Sequence, residues 1–152
     1  MMSPTVSLDP DRNGDGYAAT KATNGKRDSR DPVNYWLGKY NRAADLVLDL
    51  GSTVMVHTIY IRNSYNGGYH YSTGSKGLKI MIGNSNTGPW MEFDSGELEN
   101  PIPYGTAGDI IPMIEFKGNS MMQGRYVKYE CLTWYGYGCS LQYIGVAQAV
   151  GG

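Results

Sequence analysis

Leu78-Lys79-Ile80-Met81-Ile82, bracketed by Gly77 and Gly83, repeats with a period of two. Leu78, Ile80 and Ile82 face one way and Lys79 and Met81 the other, the geometry of a strand with one buried face. The pattern recurs on both sides. Met55–Arg62 alternates, with Val56, Ile59 and Ile61 as core candidates. Before it, Ala44–Leu50 is an apolar run that stops at Gly51. Downstream come Trp90–Phe93, behind the Gly88-Pro89 turn, and Ile110–Phe116, where Pro112 marks an edge or a bulge. Arg125–Leu132 and Leu141–Gln148 complete the series.

Short strands separated by turn signals, with no sustained helical period and no internal repeat, are the pattern of an all-β sandwich or jelly roll. The expected core is Leu48, Leu50, Ile59, Ile61, Leu78, Ile80, Ile82, Trp90, Phe116, Val127, Tyr129 and Ile144. Residues 1–16 are polar and rich in Pro, Asp and Gly, and read as an irregular N-terminal lead-in. Residues 17–152 read as one domain. Within it, residues 17–43 read mostly as loop, with a short helical turn near Ala18–Thr23.

A chain of 152 residues is one domain by length, and hides roughly 70% of its unfolded surface. Its net charge of −1 gives no basic footprint for nucleic acid. No apolar run is long enough to span a bilayer, and no polybasic run points to an anionic membrane. Tyr outnumbers Phe by 13 to 2. Tyrosine suits both half-buried strand positions and recognition loops, so both uses are expected.

Two loops concentrate that chemistry. Asn63–Gly77 is polar and aromatic, and compact domains seldom keep a loop of about fifteen residues without a function. Thr133–Ser140 interleaves Trp134, Tyr135 and Tyr137 with glycines, so that some of these rings must face solvent. Catalysis has little support. The only histidines are His57 and His70, and no metalloprotease, nucleophile-elbow or phosphate-loop motif is present. The chain therefore reads as a binding protein and not an enzyme.

No cofactor is required by this reading. Asp9, Asp11, Asn13 and Asp15, with Gly14, fit the first half of a calcium loop, but Thr20 stands where a bidentate Glu would complete it. The alternative is a solvated Asp/Gly turn. Cys131 and Cys139 also leave two readings open. Cys131 is either a buried thiol in a strand or one half of a bridge across the turn, which needs the Cβ atoms about 4 Å apart.

Motif order adds a resemblance. Leu46-Val47-Leu48-Asp49-Leu50-Gly51, Ala22-Thr23-Asn24-Gly25, Gly88-Pro89-Trp90, Gly124-Arg125-Tyr126-Val127-Lys128-Tyr129 and Trp134-Tyr135-Gly136 resemble, in that order, the motifs of discoidin (coagulation-factor type C) domains. The resemblance covers about residues 17–149. It implies an antiparallel jelly-roll β-sandwich of about eight strands that takes ligands at loops on one end. Family ligands include sugars, anionic phospholipid and extracellular proteins.

The chain departs from the family at Tyr143, where relatives with a structural calcium often carry Glu, and in lacking the terminal cysteine pair. The resemblance places the two aromatic loops at or near one end. Arg62, Tyr65, Asn66, Tyr69, His70, Tyr71, Trp134, Tyr135 and Tyr137 are thus the candidate ligand-binding residues. The expected partners are glycans or glycoproteins, in a lectin-like role. The alternative is docking to extracellular proteins, as in cell adhesion. Met1-Met2-Ser3-Pro4 has no apolar signal core. The resemblance favours an extracellular or cell-surface location, with a leader removed or lying outside this sequence.

Overall fold

The computed structural model describes residues 4–8, 19–24, 35–64, 73–101 and 111–149. Its strands are β1 (Thr5–Leu8), β2 (Trp36–Leu37), β3 (Ala44–Arg62), β4 (Thr73–Ser75), β5 (Gly77–Gly83), β6 (Trp90–Glu97), β7 (Ile114–Phe116), β8 (Met122–Cys131), β9 (Trp134–Gly136), β10 (Ser140–Leu141) and β11 (Tyr143–Gln148). All their pairings are antiparallel. A 3-10 turn, Ala19–Lys21, stands where the sequence suggests one. Among the described residues no helix is long and apolar enough to cross a membrane.

β3 organises the sandwich. Its first half lies in the layer ordered β1-β3-β8-β5-β6. Its second half pairs with β11 on one side and β7 on the other. Leu46, Leu48, Val127, Tyr129, Ile80 and Ile82 of the first layer meet Ile59, Ile61, Phe116, Ile144 and Val146 of the second in one buried cluster. Trp36 of β2 closes one end of that core, its ring edge-on to Tyr129 with centroids 6.1 Å apart.

The sequence reading treats Ala44–Leu50 and Met55–Arg62 as two strands, but they are one. Pairing with β8 jumps from Asp49↔Tyr126 to Val54↔Gly124, so residues 50–53 bulge out. Asp49 holds the bulge. One carboxylate oxygen accepts the Gly51 N–H at 2.8 Å, and the Arg125 guanidinium donates to both oxygens at 2.8 and 3.0 Å. Gly51 has φ of 86°, a conformation that L side chains rarely adopt.

Other expectations need correction. Thr5–Leu8, read as part of the irregular lead-in, is an edge strand opposite Val47–Asp49. An edge strand needs only backbone partners from its neighbour, and its own sequence carries little signal for it. Ile114–Phe116 begins after Pro112, because proline has no N–H for the ladder. The expected core residues are buried with one exception. Trp90 is only half-buried: it pairs with Gly83, and its indole lies against that glycine on the outer face, where a Cβ at Gly83 would come within 2.9 Å of the ring.

Arg125 hydrogen-bonds Asp49 and holds its carboxyl below the usual carboxylate value. A lowered folded-state value stabilises the fold above the unfolded value of about 3.9, and that contribution disappears as pH falls through the folded value. Asp49→Asn is therefore expected to melt below the parent at neutral pH. The gap should close in acid, as read by thermal melts across pH 2 to 7.

Candidate functional site

The stem of the Asn63–Gly77 loop is closed by buried polar groups. Asn63 donates from Nδ2 to the Ser75 carbonyl at 2.8 Å, and its Oδ1 accepts the Ser75 N–H at 2.9 Å. The side-chain amide thus pairs with Ser75 as a neighbouring strand would. Ser64 donates to the Thr73 carbonyl at 3.1 Å, Ser140 to the Ser64 hydroxyl at 2.7 Å, and Ser75 to the Ser140 carbonyl at 2.7 Å. Asn63, Ser64, Thr73, Ser75 and Ser140 are all buried. Buried polar groups of this kind are stable only when bonded, which makes the stem rigid.

The two loops meet through this stem. Thr73, Gly74 and Ser75 of β4 pair with Gly136, Tyr135 and Trp134 of β9. Both segments read as loop in the sequence, because strands this short carry no usable period. The Gly74 N–H donates to the Gly138 carbonyl at 3.0 Å and the Lys76 N–H to that of Thr133 at 2.9 Å. On the other side, the Gly38 N–H donates to the Cys139 carbonyl at 2.8 Å and the Asn41 N–H to that of Tyr137 at 2.7 Å. Cys131 and Cys139 form a disulfide with Cα atoms 6.2 Å apart, which resolves the two readings of this pair. The turn is held on both flanks and bridged at its base.

The aromatic side chains divide by burial. Trp134 is half-buried and packs on the core. Tyr135 donates its hydroxyl to the Leu98 carbonyl at 2.8 Å, and the Lys76 ammonium lies 5.7 Å from its ring centroid. Tyr137 is 49% exposed, and its ring stands 6.2 Å from that of Tyr40, itself 37% exposed. Tyr40 is not among the residues that the sequence pattern singles out. The available signal was Lys39-Tyr40-Asn41-Arg42, an aromatic in a polar turn like that around Tyr137, with Asn41 at φ of 58°.

Arg62, expected among the ligand-binding residues, is instead buried at the end of β3 opposite Tyr143. His57 is exposed on β3 and lies 2.7 Å from the Thr58 hydroxyl, outside this end of the fold. Tyr65, Asn66, Tyr69, His70 and Tyr71 lie outside the described residues, as do the calcium-loop candidates Asp9, Asp11, Asn13 and Asp15. Among the described residues no group of three or more His, Cys, Asp or Glu is gathered for a metal. Among the described residues this end presents two exposed tyrosine rings, Tyr137 on the turn and Tyr40 on the segment bonded to it. Such a surface can stack on an apolar face and hydrogen-bond at its rim.

Two variants test this scaffold. Asn63→Ala leaves the Ser75 N–H and carbonyl without their partners and should cost about 2 kcal/mol in urea unfolding. The double variant Cys131→Ala with Cys139→Ala opens a short loop and should cost roughly 2 to 3 kcal/mol, with far-UV circular dichroism still reporting the sandwich.

The family model for the F5/8 type C domain matches residues 5–144. No curated protein matches the chain in sequence. Solved structures share the fold. Chitosan-binding module 1 of a chitosanase/glucanase from Paenibacillus sp. IK-5 has a TM-score of 0.69 at 17% identity, covering 96% of each chain. A family 32 carbohydrate-binding module of NanJ from C. perfringens, in complex with galactose, has a TM-score of 0.70 at 17% identity, covering 95% of this chain and 93% of that one. Chitosan-binding module 2 from the Paenibacillus enzyme, in complex with chitotriose, has a TM-score of 0.67 at 17% identity, covering 95% and 96%.

Proposed function

We propose that this chain, which belongs to the F5/8 type C domain family, is a non-catalytic module that binds glycans at the end of the sandwich carrying Tyr40 and Tyr137. The observation that carries the reading is the exposed tyrosine pair on a turn fixed by the disulfide and by hydrogen bonds to β4 and to the 38–41 segment. Sugars present apolar C–H faces and rims of hydroxyls. A rigid aromatic plate therefore binds them with little loss of side-chain freedom. Relatives of the same fold solved with galactose and with chitotriose support a saccharide as the ligand class.

The roles within the site follow burial. Tyr137 and Tyr40 supply the stacking surface. Tyr135 and Trp134 hold the turn in place from beneath. Asn66 and His70, on the neighbouring loop, are the proposed hydrogen-bonding groups to sugar hydroxyls. A disulfide is retained in oxidising compartments, which fits an extracellular or cell-surface module. The same tyrosines would serve in docking to an extracellular protein. A glycan array, run beside a pull-down from extracellular material, separates the two readings.

Removing a stacking ring from a small site costs about 2 kcal/mol, roughly thirty-fold in affinity. Tyr137→Ala should lose binding to the best array sugar by that factor, with far-UV circular dichroism still reporting the sandwich. Trp134→Ala should instead destabilise the protein, because its ring packs on the core. Equal affinity of Tyr137→Ala and Tyr40→Ala with the parent would move the site away from this pair.

A further inference from the structure

The outer face of the β1-β3-β8-β5-β6 layer carries a second concave surface. Its residues alternate with the core set: Asp45 and Val47 on β3, Lys128 and Glu130 on β8. A depression of about 330 Å³ opens there. Leu8 and Trp90 supply its apolar surface above the buried Val47, and Asn86, Thr87 and Lys128 its polar groups. Trp90 is placed there by an absent side chain: the indole crosses Gly83 on the next strand instead of entering the core. Lys128 sits 5.9 Å from the Trp90 ring centroid. The Ser85 hydroxyl accepts the Thr87 N–H at 3.3 Å and fixes the turn that carries Asn86.

Charge narrows the ligand. The Lys128 ammonium lies 3.4 Å from the Asp45 carboxylate and 3.2 Å from that of Glu130. Lys128, which lines the depression, is thus already engaged by two carboxylates and is not offered to a phosphate, a sulfate or a carboxylate. Apolar surface and aromatic ring beside a rim of amide, hydroxyl and paired charges suit a neutral or amino sugar. Asp45 also lines a second depression of about 230 Å³ with Ala43, Glu130 and Leu132. Leu132 and Ala43 lie next to the segments that carry Tyr137 and Tyr40. The two depressions therefore lead along β3 and β8 toward the tyrosine pair.

We infer that this outer face is a second saccharide surface, which takes inner units of a neutral or amino-sugar oligosaccharide whose end is held at Tyr40 and Tyr137. The inference rests on the glycan-binding reading above and adds to it that the ligand is an extended chain. Linked contacts make the second binding event intramolecular, so an oligomer gains over a monosaccharide without any tighter individual contact.

The test is amide chemical-shift mapping of the whole chain with galactose, GalNAc-β-1,3-galactose and chitotriose, beside the variant Asn86→Ala. An oligosaccharide is expected to shift Asp45, Val47, Thr87, Lys128 and the Trp90 indole together with Tyr40 and Tyr137. Asn86→Ala should weaken that oligosaccharide by about three- to ten-fold, with an unchanged melting temperature and unchanged galactose binding. Shifts confined to Tyr40, Tyr137 and their neighbours with every sugar would overturn the extended site and leave glycan binding at the tyrosine pair standing. No shift anywhere with any of the three, beside a glycan array on which nothing binds, would overturn both.

Discussion

Asp49 accepts the Gly51 N–H and both arms of the Arg125 guanidinium where β3 loses register with β8. The layers share a strand because β3 can bulge at this point and continue. Without a fixed bulge, the residues beyond it could shift register by one. Because side chains alternate, Ile59 and Ile61 would then turn from the core to solvent. A carboxylate that accepts a backbone N–H and a bidentate guanidinium ties the bulged strand to its neighbour at the register jump. The second layer depends on it, since both β11 and β7 are hung on the far half of β3.

The same logic appears at the end that carries Tyr40 and Tyr137, with an amide in place of a carboxylate. Asn63 follows the last residue of β3 and offers Ser75 both a donor and an acceptor. It thereby continues the work of the strand after the strand has ended. Ser64, Ser75 and Ser140 close a ring of buried hydrogen bonds around it. A buried network is costly if any member is left unbonded, so the loop stem has one acceptable arrangement. Tyr137 inherits that rigidity through β9 and the Cys131–Cys139 bridge. This is the preorganisation that the proposed sugar site needs, because weak contacts cannot also pay for ordering a loop.

Aromatic residues show how environment assigns roles to one residue type. Trp36 is fully buried against Tyr129, whose phenol burial pushes well above the usual tyrosine range. Trp134 is a wedge under the turn, and Trp90 lies on the outer face beside Lys128. Tyr135 faces inward enough to bond Leu98, while its near neighbour Tyr137 stands in solvent. In each case the neighbour across the strand or turn decides: Gly83 makes room for Trp90, and the Leu98 carbonyl captures Tyr135.

The sequence by itself determined the fold class and most of the core. The period of two at Leu78, Ile80 and Ile82 is a property of the chain alone and fixes which face is buried. It also located the two aromatic segments that the structure joins through β4 and β9. What it could not determine depends on distant partners. The edge strand Thr5–Leu8, the continuity of β3 through Gly51 and the short pairs β4–β9 and β2–β10 are set by hydrogen bonds between segments far apart in sequence. Trp90 reads as core until Gly83 is placed opposite it, and Tyr40 is noticed only when the turn brings its ring to Tyr137. Periodicity records which side of a strand is apolar. Only the tertiary structure decides what stands against that side, and so which aromatic rings stay exposed.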